Sequence, residues 1–271
     1  MSIFLTTLAA AVLAAGDAAA APPSTPGSGW SRLDAQTLAF QGRITEESRK
    51  AFGQLIDDET TTVVLTSRGG DVEAALDIAN AIHDRGLDVV VRGHCVSSCA
   101  NYLFLAGRNR MIEPDSFLGF HGTLTSLDLE AQVAEMEAAA RAAGQTDEEI
   151  AAQTLSMRRG VEAIRERERA FALKVGFAPD LYVDTGFERL SAEQKSSLPD
   201  GDPVFFPSAE VLAACYGVEG VVDRSRAEDS DLGTLAERAA PGLGFVVLGD
   251  EWFSHCRPRA ARADDQEERI R

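Results

Sequence analysis

Between residues 37 and 121, short runs of β-branched and other apolar residues alternate with stretches whose apolar positions recur at helical spacing. Residues 37–44, TLAFQGRI, form an apolar run closed by glycine and read as a strand. TEESRKAFGQLIDD comes next, with Thr45 as N-cap, acids in the first turn, and Ala51, Leu55 and Ile56 at helical spacing. Residues 62–66 are a second buried strand. Val72, Leu76, Ala79 and Ile82 then share one helix face. Val89-Val90-Val91 is a third strand, residues 100–106 an apolar helix, and residues 117–121 a further strand. Strand and helix in alternation predict an α/β fold whose parallel strands are joined by right-handed crossovers.

The pattern then changes. Residues 127–176 are rich in Ala, Glu and Arg, with apolar positions at Leu129, Val133, Met136, Ile150, Leu155, Val161, Ile164 and Phe171. Gly144 divides them into two amphipathic helices, predicted as an outer hairpin that is either solvated or a subunit contact. The run RERER at residues 165–169 reads as a solvated face. Residues 204–206 and 221–222 read as short strands around a helix over 208–215, which Ser208 caps and Gly217 stops. The charged tail after Cys256 has the composition of a disordered segment.

The first 21 residues predict a secretory signal peptide or a retained N-terminal anchor. Their apolar run is short for a membrane span, and Ala18-Ala19-Ala20 offers a cleavage site. Residues 22–36 are expected to be a linker, 37–225 the α/β domain, and 226–271 a partly disordered C-terminal extension. The 271 residues carry a formal net charge of −17, which repels phosphate backbones and anionic lipid and argues against a nucleic-acid partner. The four cysteines, Cys95, Cys99, Cys215 and Cys256, fit two disulfides in an exported chain, Cys95–Cys99 and Cys215–Cys256, or four buried thiols. Their spacing is not that of a metal site, and no metal or other cofactor is expected.

Three turns carry the candidate chemistry. Gly69-Gly70 lies between a strand and a helix, where glycine permits close backbone approach and an amide can meet an anion. Cys95-Val96-Ser97-Ser98-Cys99 is likewise a strand-to-helix turn, whose serines are either an exposed hydroxyl or a helix cap. His121 ends a strand and is the best-sited base. His83 lies on a helix face, His94 is too close in sequence to the serines, and His255 is near the tail.

Taken in order, these elements resemble the proteolytic subunit of Clp protease and the wider Clp/crotonase-like superfamily. The resemblance is closest to exported bacterial Clp-like proteins with a C-x-S-x-C motif. It runs from Leu38 to about Asp223: FQGRI, then S-x-G-G, then Ala106-Gly107 followed by Arg108, then PDSFLGFH, then FPSAEVLAACYGVEGVVD. It implies a spiral of β-β-α units with a parallel sheet and an outer helical hairpin. It also implies a serine peptidase with His121 as base and an oxyanion hole of the Gly70 and Ser98 amides. The nucleophile it implies is Ser97, by the C-x-S-x-C count, with Ser98, reached by counting back from Ala106-Gly107, as the alternative. Asp202, with Asp200 as fallback, is the nearest match to the family's aspartate. A Ser–Lys dyad has no motif among Lys50, Lys174 and Lys195. The expected substrate is a peptide or unfolded protein in the periplasm or outside the cell, with no ATPase partner there, and the family implies self-association. Two other readings carry over: a non-catalytic Clp-like scaffold, and an acyl-CoA enzyme of the crotonase branch.

Overall fold

The structure, a computed structural model, describes residues 29–226 and 231–253. The expected leader, Cys256, His255 and the charged tail lie outside the described residues. A seven-stranded sheet is the centre of the molecule. Its strands are β1 (Gly29–Arg32), β2 (Thr37–Gln41), β3 (Thr62–Ser67), β4 (Asp88–Val96), β5 (Arg110–Ile112), β6 (Phe117–Gly119) and β8 (Val221–Asp223). The order is β1-β2-β3-β4-β5-β8, with β6 also on β4, and every pairing is parallel except β1 with β2. The fold is thus α/β with a mostly parallel sheet. Val63, Leu65, Val89 and Val91 are fully buried, as strands of a covered parallel sheet must be.

Helices α1 (Glu46–Leu55) and α2 (Val72–Asp84) are the crossovers of the first three parallel strands. α1 starts on a reciprocal capping box between Thr45 and Ser48, and α2 on an Asp71 cap that accepts from Ala74 N–H. The hairpin consists of α3 (Leu129–Ala142) and α4 (Asp147–Val175), parted at Gly144 with φ +80°. Beyond it come α5 (Asp180–Asp184), α6 (Ala192–Ser197), β7 (Asp202–Phe205), α7 (Ala209–Tyr216), α8 (Leu232–Ala239) and β9 (Phe245–Leu248). β7 and β9 make a separate two-stranded parallel sheet.

One irregularity places the site. Leu65 and Ser67 on β3 pair with Val91 and Cys95 on β4, so a two-residue step on β3 faces a four-residue step on β4. The surplus sits at Arg92 and Gly93, the latter at φ +75°. Such a bulge bends a strand and re-aims the residues beyond it. Below it β4 pairs with β5; above it β4 pairs with β6. The freed polar groups are met by side chains: Thr66 Oγ1 donates to Arg92 O at 2.6 Å, and Gly93 N–H donates to Ser116 Oγ at 2.9 Å.

Two stretches differ from expectation. The end of the anticipated linker holds β1, because Trp30 packs on Phe40 and Phe52 with ring centroids 4.9 and 4.6 Å away. RERER is not wholly solvated: Glu168 is fully buried and Arg165 reaches main-chain carbonyls. Glu168 lies seven, four and three residues from Val161, Ile164 and Phe171, so it shares their inward face.

Candidate functional site

Three chain segments meet where the sheet's carboxyl ends open. β3 ends at Ser67 and runs through Gly69-Gly70 into α2. β4 ends at Val96 and turns at Ser97 into a π-helical segment, Cys99–Phe104, here called the elbow helix. β6 ends at Gly119 and delivers His121. The register fixes the adjacency, since Val96 pairs with Gly119 and Ser97 N–H donates to Gly119 O at 2.9 Å.

Ser97 is one of two described non-glycine residues with positive φ, at +61°. A side chain on such a turn stands clear of strand and helix alike, and the conformation persists only where its surroundings hold it. Ser97 is half-buried, and its hydroxyl makes no hydrogen bond among the described residues. Ser98 differs. It is buried at 3% exposure, and its Oγ donates to Gly70 O at 2.9 Å. Neither hydroxyl caps the elbow helix. Cys95 and Cys99 are joined by a disulfide with Cα atoms 5.2 Å apart, which closes the elbow around both serines. Cys215 lies on α7, and Cys256, its expected partner, is outside the described residues.

The glycines are needed by the elbow. A Cβ on Gly69 would lie 2.7 Å from Ser97 Cβ, Ser98 N and Val96 O, and one on Gly70 would overlap the Ile44 carbonyl. Ile44 N–H donates to Gly69 O and Asp71 N–H to Ile44 O, which locks the turn. Among the described residues the Gly70 and Ser98 N–H groups donate no hydrogen bond. They are unspent donors on adjoining turns, the second at a helix start where such donors are expected.

His121 is half-buried. Burial lowers its imidazole pKa from the ordinary value, offset in part by a polar contact with its own main chain and by the charges of Glu188 and Asp202. Its ring makes no hydrogen bond to Ser97 or Asp202 among the described residues. Asp202 comes from β7, brought beside β6 by an antiparallel bridge between Phe120 and Phe205. Burial raises the Asp202 carboxyl pKa, opposed by Arg68 and by His121. Its nearest cation is Arg68, at 4.0 Å. Asp200 lies on an exposed turn. His94 Nδ1 lies 3.5 Å from Ala239 O. Lys50 and Lys174 pair with Glu46 and Asp84, and Lys195 lies over Phe187.

Sequence reading overlooked Asn101 and Glu168. Asn101 is buried on the elbow helix, and its amide donates to Gly122 O at 2.6 Å, next to His121. Among the described residues its Oδ1 has no hydrogen-bond partner. An apolar helix containing one Asn was the available signal for it. Among the described residues, no group of three or more His, Cys, Asp or Glu side chains is placed to hold a metal ion.

No family model matches the chain, and no curated protein does. Solved structures do match. ClpP1 from Listeria monocytogenes is 24% identical over 44% of this chain and 78% of that one, with a TM-score of 0.31. A point mutant of ClpP1 from the same organism is also 24% identical, over 44% and 79%, with a TM-score of 0.32. Matches with TM-scores this low carry no argument about this chain, whose chemistry rests on its own residues.

Proposed function

We propose that this chain is an exported Clp-like serine peptidase, with Ser97 as nucleophile, His121 as general base, Asp202 as the acidic partner, and the Gly70 and Ser98 amides as oxyanion hole. The observation that carries the reading is Ser97 itself. Its φ of +61° and unengaged hydroxyl suit a nucleophile, whereas the Ser98 hydroxyl is spent on Gly70 O. In this reading Ser97 Oγ bonds to the carbonyl carbon of the scissile peptide as its proton passes to His121 Nε2 or Nδ1. The carbon–nitrogen bond then breaks and the departing amine takes that proton. Water next gives a proton to His121 and adds its hydroxide to the acyl carbon. Ser97 Oγ leaves and recovers the proton. The negative oxygen in each half-reaction is met by the two free amides, worth about 3–4 kcal/mol per donor in comparable sites. Asp202 acts on His121 through its charge.

Export is supported by the N-terminal sequence and by the Cys95–Cys99 disulfide, which belongs to an oxidising compartment. There the substrate is a peptide or unfolded protein, reached without an ATPase. Self-association is part of the proposal, with Leu155 and Leu173 of the outer hairpin exposed at 49% and 67%. The test is hydrolysis of a reduced, alkylated polypeptide by the oxidised protein and by Ser97→Ala. Turnover that Ser97→Ala retains would sink the peptidase assignment.

A second reading, a binding scaffold without turnover, has one observation in its favour: the His121 ring reaches neither Ser97 nor Asp202 by hydrogen bond. Catalytic hydrogen bonds often tighten only on substrate binding. A scaffold would bind unfolded polypeptide with unchanged affinity after Ser97→Ala and never cleave it.

A further inference from the structure

Glu168 has no solvent exposure, yet it lies within the C-terminal third of a helix of the outer hairpin. A carboxylate buried without partners costs several kcal/mol, so four donors converging on one is a built arrangement. Tyr102 OH donates to Oε1 at 2.6 Å. Thr123 Oγ1, Thr125 Oγ1 and Thr125 N–H donate to Oε2 at 2.8, 2.6 and 3.0 Å. Burial, and then the neighbouring Glu168 charge, push the Tyr102 phenol pKa well above its ordinary value, which keeps the phenol a donor.

The donors come from two places that matter. Tyr102 is on the elbow helix, five residues after Ser97. Thr123 and Thr125 are on the turn immediately after His121. Glu168 is therefore one anion gripped from both sides, by the nucleophile's helix and by the base's loop. One turn earlier on α4, Arg165 grips the same loop, with Nε on Leu124 O at 2.9 Å and Nη2 on Leu127 O at 2.7 Å. α4 is itself anchored on α2, the helix that begins at the glycine turn: Arg167 bonds Asp77 at 2.7 Å and Glu73 at 3.3 Å, and Lys174 bonds Asp84 at 2.6 Å.

We infer that Glu168 is a positioning residue that sets the spacing between Ser97 and His121, an inference that rests on the peptidase reading above. It touches neither substrate nor reacting atoms. It acts by fixing Tyr102 against Thr123 and Thr125, so that the elbow and the base loop move as one body. Gln at this position keeps the size but offers an NH₂ group to donors that need an acceptor. Leu removes both acceptors. Tyr102→Phe removes only the elbow's share of the grip.

The test measures two quantities on the full oxidised chain. The first is the rate at which a fluorophosphonate modifies Ser97. The second is the set of ring resonances of His121, from protein carrying ¹³C/¹⁵N-histidine. Glu168→Gln and Glu168→Leu are expected to slow labelling roughly 10- to 100-fold, the penalty of displacing reacting groups by about an ångström. The His121 resonances are expected to shift, all at temperatures where circular dichroism shows the fold intact. Tyr102→Phe should give an intermediate loss, with kcat lowered and KM unchanged on a peptide substrate. Should Glu168→Leu fail to fold, Thr123→Val with Thr125→Val removes the loop side of the grip and takes its place. Folded variants that label at the wild-type rate would overturn the inference, whatever their melting temperature. If the wild-type chain is not labelled, the peptidase reading fails by itself. The resonances then decide alone, and an unmoved His121 spectrum in folded Glu168→Gln overturns the positioning role.

Discussion

At the scale of single residues the proposed chemistry turns on Ser97, Gly69 and His121. Ser97→Ala removes the unengaged hydroxyl at the positive-φ position and should lower peptide turnover at least ~10³-fold, with Tm little changed. Ser98→Ala should do less, since that hydroxyl bonds Gly70 O and its main-chain N–H survives the change. Gly69→Ala drives a methyl to 2.7 Å from the Ser98 nitrogen and the Val96 oxygen, both backbone atoms that cannot step aside. It should cost stability by about 1–3 kcal/mol and abolish labelling, as seen by thermal melts and probe uptake. His121 must be neutral to accept a proton, and burial lowers its pKa from the ordinary 6.5. Activity should therefore climb with pH through a midpoint below 6.5 and be flat above it. Stability moves in the same direction, because the unfolded chain binds that proton more readily. His121 thus contributes stability above the ordinary value, and the contribution is lost as pH falls toward the lowered one. Asp202, raised by burial, acts in the opposite sense, losing stability as pH rises through its own raised pKa.

At the scale of elements, the Cys95–Cys99 disulfide staples the end of β4 to the elbow helix. Closing so short a loop is worth roughly 2 kcal/mol by chain entropy. Cys95→Ala with Cys99→Ala should lower Tm by an amount consistent with that and slow labelling of Ser97; melting and labelling with and without reductant check it. The elements that sequence made legible are those with local causes. Buried strands announced themselves as β-branched runs, and the helices of the hairpin parted at Gly144 because an αL glycine ends a helix. β1 was hidden because GWSR is four residues held by a long-range contact, Trp30 on Phe40 and Phe52. β9 was missed although FVVL has strand composition, since what makes it a strand is pairing with β7, some forty residues earlier. For the site, sequence placed the nucleophile at Ser97 with Ser98 as its alternative, one position apart. A positive φ and a hydroxyl's partner are properties of a folded turn, invisible in the letters SS. Glu168 was lost in RERER for a related reason: charge spoke for solvent while its spacing from Val161, Ile164 and Phe171 spoke for the interior, and the second signal prevailed.

At the scale of the whole molecule, the candidate site is assembled from segments that do not touch in sequence, and residues 231–253 belong to that assembly. Leu235, Ala236, Ala240, Leu248 and Phe253 are buried in the common core, and β9 flanks the strand that carries Asp202. Burial of Leu235, Leu248 and Phe253 alone is worth roughly 5–9 kcal/mol, comparable with the whole stability of a domain. A chain ending at residue 226 should thus lose cooperative unfolding in urea. The proposal that sheet, glycine turn and elbow converge to make Ser97 a nucleophile has a direct test. The oxidised full-length chain is treated with a fluorophosphonate at neutral pH, digested, and the adduct located by mass. A single adduct on Ser97, strongly slowed by His121→Ala, is the expected result. An adduct on Ser98, or none on a chain shown to be folded, would contradict the assignment.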